Sequence, residues 1–148
     1  EVNMAAQPAF AAYAATTASQ PNVTGGGQTV TVNVETPLFD QNADFNNSTM
    51  TFQAPVTGRY LFAGGITVDG NTDTTYGALT FVTSNRTWTL SFPGYLVNGP
   101  NGSFSALVDM DINDTLLMKF NMAGGTQNVD ILGGATNPRT FLTGYLVA

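Results

Sequence analysis

The chain has no histidine and no cysteine, and charged side chains make up only 9 % of its 148 residues. Without imidazole there is no Ser-His-Asp or Cys-His nucleophile pair, no histidine metal ligand and no side chain that ordinarily titrates between about pH 5 and 8. Without thiols there is no thiolate zinc centre, no disulfide framework and no cysteine redox chemistry. Charge is one-sided as well as scarce: four basic and ten acidic residues give a net charge of −6, in a class of proteins where about 25 % of residues are usually charged. Arg59, Arg86, Lys119 and Arg139 stand singly, so no basic footprint for nucleic acid can form. No apolar run approaches the roughly 18 residues that a membrane-spanning helix needs, and no membrane insertion is expected. Residues 9–15 are apolar but lack the basic segment that opens a signal peptide. Thr, Asn and Gly supply the polar surface instead, a composition that suits an extracellular, cell-surface or virion location.

What the sequence does hold is alternation. Val30, Val32 and Val34 alternate with Thr31, Asn33 and Glu35, and Trp88, Leu90 and Phe92 alternate with Thr87, Thr89 and Ser91. Val108, Met110 and Ile112, then Leu116, Met118, Phe120 and Met122, repeat the pattern. Period two over short runs reads as half-buried strands. Glycine- and asparagine-rich clusters at 25–27, 69–71, 98–102, 124–125 and 133–134 mark the turns between them. Eight to ten such strands predict an all-β sandwich or barrel in one domain, 1–148. The alanine-rich stretch 5–15 favours helix by propensity; Pro8 and the Phe10/Tyr13 pair argue for a terminal strand, and 16–28 reads as a long loop. A chain of this length should expose roughly 7,200 Å² of a possible ~22,500 Å², enough burial for a core without cross-links.

One segment is more specific. From Val34 to Phe62 the sequence VETPLFDQNADFNNSTMTFQAPVTGRYLF places Asp40, Phe45, Phe52, Gly58, Tyr60 and Phe62 at the spacing of a known signature, and it resembles the C1q/tumour-necrosis-factor-like globular domain. Val34 stands where that family usually has Phe, Gly64 where it usually has a final aromatic, and Asn113 where it has a turn Gly. Near the C-terminus, Phe141-Leu142-Thr143-Gly144-Tyr145-Leu146 is similar to the closing strand, with Phe141 shifted by one so that its ring turns to the opposite face. The resemblance implies a ten-stranded jelly roll of two antiparallel sheets that assembles as a homotrimer, often as the globular head of a stalk. On that basis Tyr60, Phe120 and Leu142 are candidates for the seam along the three-fold axis, with ordinary core as the other reading of each. The chain begins at Glu1, which is expected of a fragment or processed product, with residues 1–7 as a lead-in from a stalk.

Few residues suggest chemistry. Asp69, Asn71 and Asp73 open with the rhythm of a calcium loop, but Thr74 and Thr80 stand where an EF-hand needs glycine and glutamate. Asp109 and Asp111, two apart on an expected strand, would lie roughly 7 Å apart on one face, a spacing of interest for glycoside hydrolysis; polar-out alternation is the plainer reading. Tyr76, Tyr95, Asn98 and Asn101 form an aromatic-plus-amide set on loops of the kind that contacts sugars. No catalytic residue, cofactor or resident metal is expected. The sequence therefore points to a non-enzymatic trimeric head binding a cell-surface glycan or protein receptor through its loops, or else to a trimerisation clamp or coat decoration with no receptor of its own. The charge of −6 per chain becomes about −18 over three chains, which disfavours anionic partners.

Overall fold

The computed structural model describes residues 6–70, 74–93, 101–125 and 128–148. Thirteen strand segments form two antiparallel sheets. The first sheet holds β1 (Ala9–Tyr13), β2 (Ala18–Val23), β4 (Thr36–Asp40), β7 (Gly58–Asp69), β10 (Asn101–Met110), β12 (Val129–Leu132) and β13 (Phe141–Leu146). The second holds β3 (Val30–Thr31), β5 (Phe45–Asn46), β6 (Thr51–Gln53), β8 (Tyr76–Thr83), β9 (Thr87–Pro93) and β11 (Thr115–Ala123). In the first, β7 pairs with β10 along 58–67 and with β13 along 60–65, and β13 carries β1 and then β4 on its far side. In the second, β11 is central, between β8 and the β6 and β3 segments. Folded, the chain exposes 7360 Å², close to the surface expected from its mass.

The segment count exceeds the ten strands expected because the chain breaks its long edges into short pieces, β3 and β5 being two residues each. Residues 5–15 do contribute a strand. The stretch 16–28, expected as a long loop, instead contains β2 and a 3₁₀ turn at Gly25–Gly27. Its polar composition hides β2 because the strand is held by partners rather than by alternation: β12 supplies its ladder, and Gln20 bonds Thr31 O through Nε2 and Asn33 N through Oε1. Ile112 is a second departure. The alternation that buries Val108 and Met110 ends with β10 at Met110, and Ile112 lies in the following turn, 57 % exposed.

Between the sheets, Phe10, Phe45, Phe52, Tyr60 and Phe62 form one aromatic group. Phe10 stacks on Phe45 with centroids 4.7 Å apart and on Phe52 at 5.2 Å, and Phe52 meets Phe62 edge to face at 5.3 Å. All five are buried, and such rings supply about 150–250 Å² of burial each. The backbone makes room for them at glycines. A Cβ on Gly144 would lie 2.5 Å from Phe62 Cδ1 and 3.0 Å from Phe10 Cε1. Farther along β7, a Cβ on Gly64 would lie 2.7 Å from Met118 Sδ and 2.8 Å from Phe81 Cε1. Phe81 of the facing sheet, stacked on Phe104 at 4.2 Å, fills the space over Gly64.

These contacts give a prediction. Gly64→Ala and Gly144→Ala should each lose about 1–3 kcal/mol of unfolding free energy in urea titrations, the usual range for overpacking a filled core. A Phe81→Leu background should reduce the loss at Gly64 and leave that at Gly144 unchanged.

Candidate association face and signature loop

Strand pleating fixes what each sheet shows to the outside. In β7, Tyr60, Phe62, Ile66 and Val68 are buried, so Leu61, Ala63, Gly65 and Thr67 face outward. The registers extend these into rows across the first sheet: Ala9, Tyr145, Leu61, Leu107; Phe39, Ala11, Thr143, Ala63, Ser105; and Tyr13, Phe141, Gly65, Ser103. No residue in the three rows is charged. Arg59 opposite Asp109 closes the face at one end. Phe39 and Leu107 are each 52 % exposed and Tyr145 45 %. The outer face of the second sheet is more mixed: its rows are Thr51, Leu117, Val82, Thr87; Lys119, Thr80, Thr89; Asn121, Ala78, Ser91; and Ala123, Tyr76, Pro93, with the Thr80 and Thr89 hydroxyls 3.2 Å apart. The first face is thus uncharged and partly apolar across its rows, whereas the second carries Lys119 and a larger share of hydroxyls among Leu117, Val82 and Tyr76; an uncharged apolar patch is the kind of surface through which proteins associate.

The expected seam residues are not on that face. Tyr60, Phe120 and Leu142 are each 0 % exposed inside a single chain, and Tyr60 Oη is spent on Val56 O at 2.7 Å. They point into the sandwich, so the seam reading is corrected to ordinary core. Leu61, Phe39, Leu107 and Tyr145 are the apolar residues that the outer face does present, and sequence reasoning did not single them out. The signal was present: a strand apolar at both Tyr60/Phe62 and Leu61/Ala63 has two faces to cover. Phe141 does turn outward as the shifted motif suggested, its ring lying over Gly65, where a Cβ would be 2.7 Å from Phe141 Cε1.

The remaining signature residues are structural. Asp40 ends β4 and accepts the backbone N–H groups of Asp44 at 3.1 Å and Phe45 at 3.2 Å, closing the loop that delivers Phe45 to the core. Gly58 has no left-handed φ; it is required by close approach, since a Cβ would lie 2.6 Å from Leu146 Cδ1 and 2.7 Å from Ala148 O. Asn113, in the family's glycine position, has φ 72°, a conformation asparagine tolerates better than most residues.

Of the loop candidates, Tyr76 opens β8 and is 44 % exposed, and Asn101 opens β10. Tyr95 and Asn98 lie outside the described residues. So do Asn71 and Asp73 of the calcium motif, while Asp69 Oδ1 accepts Gly70 N at 2.8 Å. Among the described residues no three His, Cys, Asp or Glu side chains gather for a metal. The Asp109/Asp111 pair does not share a strand: Asp109 is exposed on β10, and Asp111 is in the turn, its N–H donating to Asp114 Oδ2 at 2.9 Å.

No protein-family model matches the chain, and no curated protein matches it by sequence. Solved structures do. The globular domain of zebrafish complement 1qA superposes with a TM-score of 0.61 at 18 % identity, covering 95 % of this chain and 98 % of its own. Murine APRIL at pH 8.5 gives 0.63 at 13 % identity, with 95 % and 99 % covered. Eiger TNF from S. frugiperda gives 0.60 at 15 % identity, with 96 % and 93 % covered. The chain has the C1q/TNF-like jelly-roll fold. At Gly64, where the C1q/TNF-like resemblance implies an aromatic, the Phe81 ring from the opposite sheet lies against the backbone. Among the described residues no helix is long and apolar enough to cross a membrane.

One carboxyl in the signature loop titrates unusually. Burial, then the neighbouring Asp40 carboxylate, push Asp44 above its ordinary value, against a smaller lowering by Asn42. A carboxyl whose pKa is raised on folding binds more protons in the folded state, so its contribution to stability falls as pH rises from its unfolded value, 3.8, through the folded one. Asp44→Asn should therefore raise the melting temperature at pH 7 by a small amount, and the gain should vanish as the pH drops below 3.8, as measured by calorimetry across pH.

Proposed function

We propose that this chain is a non-enzymatic recognition domain, one domain over 1–148, that works as a homotrimer on a cell or virion surface. The observation that carries the reading is the uncharged outer face of the first sheet, with Leu107 52 % and Tyr145 45 % exposed in an isolated chain. Monomers rarely leave such a face open. A three-fold closed ring built from one heterologous contact covers it without another protein, and this is the assembly that the C1q/TNF-like resemblance implies. The second sheet with Tyr76 then remains outside, available to a glycan or protein receptor; Tyr95, Asn98 and Asn101 stay candidates for the same contact from their sequence alone. Asp69, Asn71 and Asp73 stay a calcium candidate from their spacing in the sequence. A purely structural role, as a trimerisation clamp or coat decoration, uses the same face and differs only in lacking a receptor.

Light scattering tests the assembly. The wild-type protein should run near three chains of 15.5 kDa. Leu61→Glu with Leu107→Glu, placing two like charges side by side on the buried face, should reduce the mass to one chain at micromolar concentration, because unpaired buried charge opposes association strongly. Thr80→Glu on the other sheet should leave three. A monomeric wild type overturns the reading.

A further inference from the structure

A cleft of about 380 Å³ opens on the second sheet, away from the association face. It is built by alternation: Phe45, Phe52 and Leu116 point into the core, so Asn46, Thr51, Gln53 and Thr115, paired across β5, β6 and β11, face outward. The turn residues Asp44 and Asn113 close its ends, and Thr49 and Pro55 complete the wall. Its volume falls within the range of about 300–1,000 Å³ typical of small-ligand sites.

The lining is selective by what it contains. There is no Lys or Arg to meet a phosphate, sulfate or carboxylate, and no aromatic or large aliphatic side chain to meet an apolar ligand. Apart from the Asp44 carboxyl and the small apolar Ala43, Ala54 and Pro55, the side chains that line it carry hydroxyls and amides, groups that both donate and accept. Among the described residues the Gln53 and Asn113 amides and the Thr49 hydroxyl make no hydrogen bond, and Asn46 uses only its oxygen, on the N–H groups of Ser48 and Thr49. Asp44 Oδ2 is buried with no donor, the kind of unsatisfied group that a structure keeps for a reason. The surrounding backbone is held in an unfavourable state as well. Ala43 at φ 59° lines the cleft and Met50 at φ 57° sits between Thr49 and Thr51, and neither residue type favours the left-handed region. Strained residues concentrate at sites of use.

We propose that this cleft binds a neutral saccharide unit, whose hydroxyls exchange hydrogen bonds with Gln53, Asn113, Thr49 and Asn46. The inference rests on the reading of the chain as a recognition domain and adds to it a ligand class and a second location, on the sheet opposite the association face. The site is complete within one subunit, so its failure is separable from that of the trimer, which the subunit mass decides independently.

The test is an array of neutral, sialylated and sulfated oligosaccharides probed with the labelled full chain and with a Gln53→Ala, Asn113→Gly double variant. Gly at 113 accepts the positive φ and Gln53 is exposed, so the variant should melt no lower than the wild type. Binding to neutral glycans that weakens at least tenfold in the variant is the expected result. No binding to neutral glycans, binding confined to acidic ones, or binding equal in the two proteins would overturn the proposal.

Discussion

Five rings hold the two sheets in register. Phe10 comes from β1, between β13 and the edge strand β4 of the first sheet, Tyr60 and Phe62 from its central β7, and Phe45 and Phe52 from β5 and β6 at one side of the second. Their mutual contacts, from the 4.7 Å stack of Phe10 on Phe45 to the 5.4 Å edge contact of Phe52 with Tyr60, are possible only because the backbone carries glycine where a Cβ would collide. Once Tyr60 and Phe62 are committed inward, the two-residue period leaves Leu61 and Ala63 no choice but to face out, and the pairing of β7 with β13 and β10 carries that choice across the sheet. The outer face is thus a consequence of the core.

The same constraint shapes the signature loop. Phe45 must reach the ring group from a strand of only two residues, and the chain gets there through Ala43 in a left-handed conformation, with Asp40 accepting the N–H groups of Asp44 and Phe45. That geometry places two carboxyls near each other and leaves Asp44 partly desolvated. Loop strain and an unsatisfied oxygen are costs that packing alone could have avoided with a longer strand. Their presence beside the hydroxyl- and amide-lined cleft links the core to the proposed saccharide site.

Much of the fold was legible in the sequence because its strongest signals are local: alternation in 116–122 and 87–92, glycine turns, and six signature residues at fixed spacing. Phe141's outward turn could be read from a one-residue shift. What could not be read depended on partners distant in sequence. β2 has a polar sequence and exists because β12 pairs with it, and Gly64 makes sense only once Phe81 arrives from the other sheet. The seam residues failed for a related reason. Strand position shows which residues alternate but not which side meets the sandwich interior, and Tyr60, Phe120 and Leu142 proved to be the inner set. The cleft was invisible because its walls, 43–55 and 113–115, meet only through the pairing of β6 with β11.

Two tyrosines offer a matched comparison for the claim that the first sheet's outer face is covered in the working protein. Tyr145 lies on that face and is 45 % exposed in the isolated chain; Tyr76 lies off it at 44 %. Hydroxyl-radical footprinting of the native protein should label Tyr76 readily and spare Tyr145. Equal labelling of the two would contradict an association face made by the packing of the core.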